Sequence, residues 1–251
     1  MNWLKRQFKE MHELLNAIPS TVVMFMVVSV IVTNLMASKF IVDAPWMQVT
    51  GGLLMSWLPF LCMDIVSKHY GAKASIRLNL FALFMYLCCI AIFEIVVLIQ
   101  YPALEAGGKD YTSFNSVYGT QWQILVASAI AYVVSGVVNS ITNCSIGAMF
   151  KKNPDGKLAY VSRSYISTFI GQFIDNFVFV ALLNIFFGLT FGSGAFGWLA
   201  NNGFWPVVGA ALLGGFYELI AEVIFSPIGY RVVTKWKENG VGKEYIEAHS
   251  K

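Results

Sequence analysis

Two apolar runs of this chain are interrupted by acids, amides and hydroxyls: Ser162 to Asn176, SRSYISTFIGQFIDN, and Gly214 to Gly229, GGFYELIAEVIFSPIG. Residues three and four apart stack on one side of a helix. In the first run Thr168, Gln172, Asp175 and Asn176 therefore share a face, widened by Ser164, Ser167 and Gly171. The second run and its approach place Ala210, Gly214, Glu218, Glu222 and Ser226 at four-residue intervals, which reads as a face for a neighbouring helix followed by a pocket. An acid at the centre of a bilayer costs about 2.5–3.5 kcal/mol or more, so a bound guest is one way to repay it. The chemistry on offer is hydrogen-bond recognition of a flat, donor-rich or cationic solute. A carboxylate can take a ring N–H and an exocyclic amine of a guanine-like base in two parallel bonds, and Gln172 or an asparagine can meet its carbonyl. Phe173, Phe177, Phe216, Tyr217 and Phe225 lie close enough in sequence to cover its faces. The competing reading is that these polar groups pair with one another or with helix backbones and hold a bundle together.

The elements that position them follow from composition. Hydrophobic residues make up 57% and charged residues only 12% of the 251 residues, where a soluble domain carries about 25% charged; this excludes an ordinary soluble protein and predicts an all-α integral membrane protein. Runs near the length needed to span, about 20 residues, predict six transmembrane helices: Pro19 to Val42, Trp46 to Val66, Leu78 to Gln100, Trp122 to Phe150, Ser164 to Thr190 and Phe204 to Thr234. Gly51, Gly52 and Pro59 weaken or kink the second. Ahead of them, Leu4, Phe8, Met11 and Leu15 on one face, with Lys5, Arg6 and Lys9 around it, predict an amphipathic helix on the cytoplasmic surface. The expected divisions are thus a surface helix at 1–18, a transmembrane transporter domain at 19–234 and a cytoplasmic tail at 235–251.

Orientation follows from the basic residues, which stay cytoplasmic. With both termini inside, the inner segments hold Lys5, Arg6, Lys9, Lys68, Lys73, Arg77, Lys151, Lys152, Lys157, Arg163, Arg231, Lys235, Lys237, Lys243 and Lys251, leaving of the 17 only Lys39 and Lys109 outside. The outer connection from Tyr101 to Gln121 is either a solvated loop or a cover for an external mouth. Three spans in each half suggest an inverted repeat, with Asn34 answering Asn139 or Asn143. At 1.5 Å per residue, Asn34, Asn139, Asp175, Glu218 and Glu222 fall roughly 16 to 24 Å from the inner ends of their spans, so one layer can hold them together with Gln172. Asp64 with Lys68, Lys73 and Arg77 is expected as an inner-surface ion-pair cluster, and Lys39 with Glu94 as an outer pair. His12, His69 and His249 are expected at the surface without ligand spacing, so no metal is implied. Cys62, Cys88, Cys89 and Cys144 lack C-x-x-C spacing and read as packing residues.

These residues also carry a resemblance. The runs TNLMASK (Thr33 to Lys39), D-x5-Y-G (Asp64 to Gly71), S-R-S-x2-S-x3-G-Q-x2-D (Ser162 to Asp175) and E-x3-S-P-x2-Y (Glu222 to Tyr230) followed by K-W-K resemble the queuosine-precursor transporter family, itself grouped with vitamin-uptake transporters. The resemblance implies a six-span importer in the bacterial inner membrane that takes up deazaguanine bases, the cyano and aminomethyl precursors of queuosine, for tRNA modification, without an obligatory ATPase. It carries onto Asn34, Ser38, Lys39, Asp64, Tyr70, Gly71, Ser162, Arg163, Gln172, Asp175, Glu222 and Pro227. Two departures are Lys68, where similar sequences have an acid, and Ser226, where they have threonine. No cofactor and no nucleic-acid partner is implied; the partners are the bilayer and a small solute, and a homo-oligomer stays open. Two other readings stand beside it: a vitamin or nucleobase capture subunit that needs an ATPase module, and a membrane-embedded enzyme, for which H-E-x-x-H, G-x-S-x-G and Gly-rich phosphate-loop motifs are all missing.

Overall fold

The computed structural model describes residues 3–44, 46–99, 111–149, 157–190 and 203–249. In chain order the elements are α1 (Trp3–Ala17), α2 (Ser20–Ala37), β1 (Phe40–Ala44), β2 (Met47–Thr50), α3 (Leu53–Tyr70), α4 (Ala72–Leu98), α5 (Thr112–Tyr118), α6 (Gln121–Met149), α7 (Lys157–Thr190), α8 (Trp205–Glu238) and α9 (Lys243–His249). Five stretches among the described residues are long and apolar enough to cross a membrane: Ser20–Ala37, Ala72–Leu98, Thr112–Val138, Thr168–Phe186 and Trp205–Phe225. The 18 residues of α3 also reach about 27 Å, but Asp64, Lys68 and His69 lower the hydropathy of its final turns. Large apolar side chains cover the outside of the bundle, among them Phe84, Ile92, Ile95, Ile141, Ile220 and Ile224. A continuous surface of that kind belongs against lipid.

The helices close into a ring. α6 packs along α7, α7 along α8, α8 against α3, and α3 against α2 and α4, with α2 and α4 both touching α6. Gly71 turns α3 back into α4 at φ 91, a backbone state that side-chain-bearing residues rarely adopt. This gives the Y-G pair of the sequence motif a structural task.

The hydropathy reading overran at the outer ends of the first two spans. Residues expected to continue as helix instead form an antiparallel hairpin, with Ala44 opposite Met47, Val42 opposite Val49, and a register shift between Phe40 and Val42. β2 packs on α8, where Gly209 allows the approach: a Cβ there would stand 2.2 Å from the Trp46 carbonyl oxygen. Gln48, 1% exposed, donates to Asp43 Oδ1 at 2.8 Å and accepts from Asn184 Nδ2 of α7 at 3.0 Å. The hairpin is thereby fastened to the bundle by buried polar bonds. Lys39 is exposed beside it and forms no ion pair with Glu94, whose Oε1 is buried without a hydrogen-bond partner. The expected outer pair is therefore corrected. Of the outer connection, residues 112–118 form α5, whose Tyr118 ring packs on Phe93 and Phe114; residues 100–110 lie outside the described set.

At the opposite end both termini of the described chain fold over the bundle. Leu14 and Ile18 join a core with Met26, Val66, Leu78, Trp236 and Tyr245, while Phe8 stays 74% exposed. Arg77 pairs with Glu10 and reaches the Tyr245 hydroxyl rather than joining Asp64; Asp64 pairs with Lys68 at 2.7 Å. The stretch expected as a tail is helical, with α8 running to Glu238 and α9 docked on α1. His69, expected at the surface, is buried, its Nε2 2.9 Å from the Val241 carbonyl and its ring edge-on to Tyr70 and Trp236. Tyr70 donates to the Ala17 carbonyl at 2.6 Å.

Candidate functional site

Two adjacent cavities lie inside the ring. The first, about 140 Å³, is walled by Asn34 from α2, Ser56 and Phe60 from α3, Asn79 from α4, Tyr132 from α6, Asp175, Asn176 and Phe179 from α7, and Glu218 from α8. The second, about 190 Å³, is walled by Trp57, Phe60 and Asp64 of α3, Thr168 and Gln172 of α7, and Glu218, Glu222 and Phe225 of α8. Phe60 and Glu218 belong to both. Helical spacing sets this order: Glu222 follows Glu218 by one turn, Thr168 and Gln172 precede Asp175 and Asn176, and Asp64 follows Phe60. The second cavity therefore lies on the α9 side of the first.

The polar groups are anchored from neighbouring helices. Asp175 Oδ1 accepts from the Ser135 hydroxyl of α6 at 2.8 Å. Asn34 donates to its own helix at the Val30 carbonyl, 2.8 Å away, and Asn176 to the Gln172 carbonyl at 2.9 Å. Gly214 makes room for Asn176, since a Cβ there would lie 2.4 Å from its Cγ. The small-residue face read from Ala210 and Gly214 is thus where α8 receives α7. Ser56 stands against Glu218, Thr168 against Glu222 and Asn79 against Tyr132. Glu218 is only 7% exposed, and its Oε2, like that of Glu222, has no hydrogen-bond partner. A buried carboxylate oxygen left unpaired costs free energy that a donor-bearing guest can offset.

The structure distributes the sequence-derived candidates over several places. Asn34, Asp175 and Glu218 meet in the first cavity, while Gln172, Glu218 and Glu222 meet in the second. One common layer thus becomes two compartments. Phe173 and Tyr217 line neither: Phe173 stacks on Phe177, with ring centroids 6.2 Å apart, and the Tyr217 hydroxyl points to the Leu54 carbonyl at 3.3 Å. Ser38 donates to the Leu35 carbonyl beside the hairpin, Lys39 stays outside, and Tyr70 and Gly71 lie at the α1–α9 end. Pro227 falls inside α8, which continues through it. The side chains of Asn139, Ser162, Arg163 and Ser226 lie outside the described residues.

Sequence reasoning named Asp64 of α3 only as an ion-pair or family-motif residue and missed Ser56, Trp57 and Phe60 of that helix, the least regular of the expected spans, as well as Asn79, Tyr132 and Ser135. The signals were present. Ser56, Phe60 and Asp64 are four apart, Trp57 and Asp64 seven apart, and Asn79 stands in an otherwise apolar stretch of α4.

Long apolar helices closed around buried acids, amides and rings define a multi-pass membrane protein with polar cavities between its helices. The chain belongs to the family described as "Putative vitamin uptake transporter", which it matches over residues 50–232, from the hairpin through α8. It is thus a membrane transporter by family. No curated protein and no solved structure matches it.

Proposed function

We propose that the protein is a bacterial inner-membrane importer of 7-deazaguanine bases, the cyano and aminomethyl precursors of queuosine, supplying salvage into tRNA modification. It crosses the membrane six times with both termini cytoplasmic, a topology supported by the distribution of Lys and Arg and by the shared cap of α1 and α9. The transporter unit runs through residues 19–234, with 1–18 and 235–251 as its cytoplasmic flanks.

The observation that carries the reading is the unpaired Oε2 of buried Glu218 beside Asp175 in a cavity with Asn34, Asn176, Phe60, Tyr132 and Phe179. A carboxylate facing a guanine-type edge accepts two N–H donors, an amide meets the carbonyl, and rings cover the faces. Among the described residues the cavities have no basic side chain in their walls, which disfavours an anionic guest. Substrate enters from the hairpin end, is held among α2, α3, α6, α7 and α8, and leaves after the helices rock.

The test is a thermal-shift panel on the purified chain with deazapurines, purines and vitamins, since binding to the folded state alone raises apparent stability by about 2.7 kcal/mol at a hundredfold excess over Kd. A deazaguanine-selective shift supports the proposal; a shift with a vitamin alone moves the substrate to the second reading, which the family description favours. Uptake by the chain alone in liposomes separates a self-sufficient carrier from a capture subunit that needs an ATPase.

A further inference from the structure

The two cavities have the same recognition chemistry. Each offers an acid, an amide and aromatic rings: Asp175, Asn34 and Tyr132 on one side, Glu222, Gln172 and the Trp57–Phe225 pair on the other. Trp57 and Phe225 stack at 4.1 Å with 13° between their planes, a flat wall joining α3 to α8. Lys68 holds Asp64 at 2.7 Å, so the acid facing a guest in the second cavity is Glu222, whose Oε2 is unpartnered. The dividing wall is made of Phe60 and Glu218. Glu218 is more than nine-tenths buried and its Oε2 is also unpartnered.

Size presses in the same direction. A cavity of about 150 Å³ accommodates benzene, and the first cavity is about 140 Å³, so a two-ring base fills it and reaches its edge, where Phe60 is the ring shared with the second cavity. Phe60 and Glu218 are the residues common to both walls, so they stand on the seam between the cavities.

We infer that the second cavity is a second station for the same guest: the base passes from Asp175 and Glu218 to Glu218 and Glu222, with Phe60 as the shutter. This rests on the substrate-site reading above. Because one carboxylate serves both positions, the guest is handed along rather than joined by a second molecule, so each chain holds one base. Glu222, Gln172 and Phe60 then govern passage, whereas Asp175 governs capture.

The experiment uses the full chain in nanodiscs for equilibrium binding and in liposomes for uptake, with aminomethyl-deazaguanine as the probe. For Glu222→Gln the expected result is a probe Kd within about twofold of the unaltered chain and uptake lowered about tenfold or more, the scale of one lost charged hydrogen bond. Gln172→Met, confined to the second cavity and close in volume, should show the same split and guards against misfolding of the first variant. Uptake at the normal rate in both variants would overturn the second station while leaving the first intact. So would loss of binding in Glu222→Gln as deep as in Asp175→Asn, because the two acids would then form one site. Two probe molecules bound per chain would overturn the handover. Failure of the unaltered chain to bind the probe at all would overturn the substrate reading and this inference with it.

Discussion

Asp175→Asn separates a binding role from a structural one. The carboxylate accepts from Ser135 at 2.8 Å, and an asparagine can keep that bond through its amide oxygen. What it loses is the charge and the second acceptor, replaced by an NH₂ group that meets the donors of a guanine-type edge with donors of its own. A hydrogen bond to a charged acceptor contributes about 1.5–3 kcal/mol, so probe affinity should fall about 10- to 150-fold. The apparent melting temperature should move by no more than about 2 °C if the loss to the fold stays under 1 kcal/mol. Calorimetry or equilibrium dialysis measures the first quantity and a detergent-phase melt the second. Ser135→Ala is the complement: it leaves the carboxylate without that donor, lowering stability by about 1–3 kcal/mol. Unchanged probe affinity in a folded Asp175→Asn protein would refute the reasoning and return Asp175 to the role of a strut between α6 and α7.

Three other outcomes are expected. Gly209→Ala places a methyl group 2.2 Å from the Trp46 carbonyl oxygen; backbone cannot rotate aside as a side chain can, so the hairpin must shift at a cost of about 1–3 kcal/mol, read as a lower melting temperature. Asn184→Ala strands the buried Gln48 Oε1, with a loss of about 1–3 kcal/mol and faster protease cutting in the hairpin at 40–50. The Glu10 carboxyl is held below its ordinary value first by its hydrogen bond from Arg6 and further by the charges of Arg77 and Arg6. Its folded pKa lies below its unfolded one, so its contribution is full above the ordinary glutamate range and lost as pH falls through the lowered value. Protection of α1 from protease should therefore weaken on the acid side, and Glu10→Gln should flatten that dependence; equal acid sensitivity in the variant would place the effect elsewhere.

Much of the fold was legible because its signals are local. Hydropathy exposed the long runs, and three- and four-residue spacing put Asp175 on one face with Gln172 and Glu218 on one face with Glu222. The same measure overran at 40–50, where Phe40, Ile41, Val42 and Met47 prolong an apolar window while the chain has already turned into strands. It also underrated α3, since Pro59 and three polar residues near its end obscure a helix that faces other helices rather than lipid. Phe173 and Tyr217 are close in sequence to the acids yet point elsewhere, because rings one residue from a cavity-facing position lie about 100° around the helix.

By itself the sequence determined a membrane-embedded helical chain, its family, and which acids share a helix face, all properties of neighbouring residues and a fixed helical pitch. The tertiary structure alone decided that Glu218 stands between two cavities, that α3 supplies their common wall, that a hairpin fastens one end and that α1 meets α9 at the other. Those outcomes depend on which apolar stripe fits which, and lipid-facing and helix-facing stripes have nearly the same hydropathy; only the matching of side-chain shapes from distant parts of the chain distinguishes them.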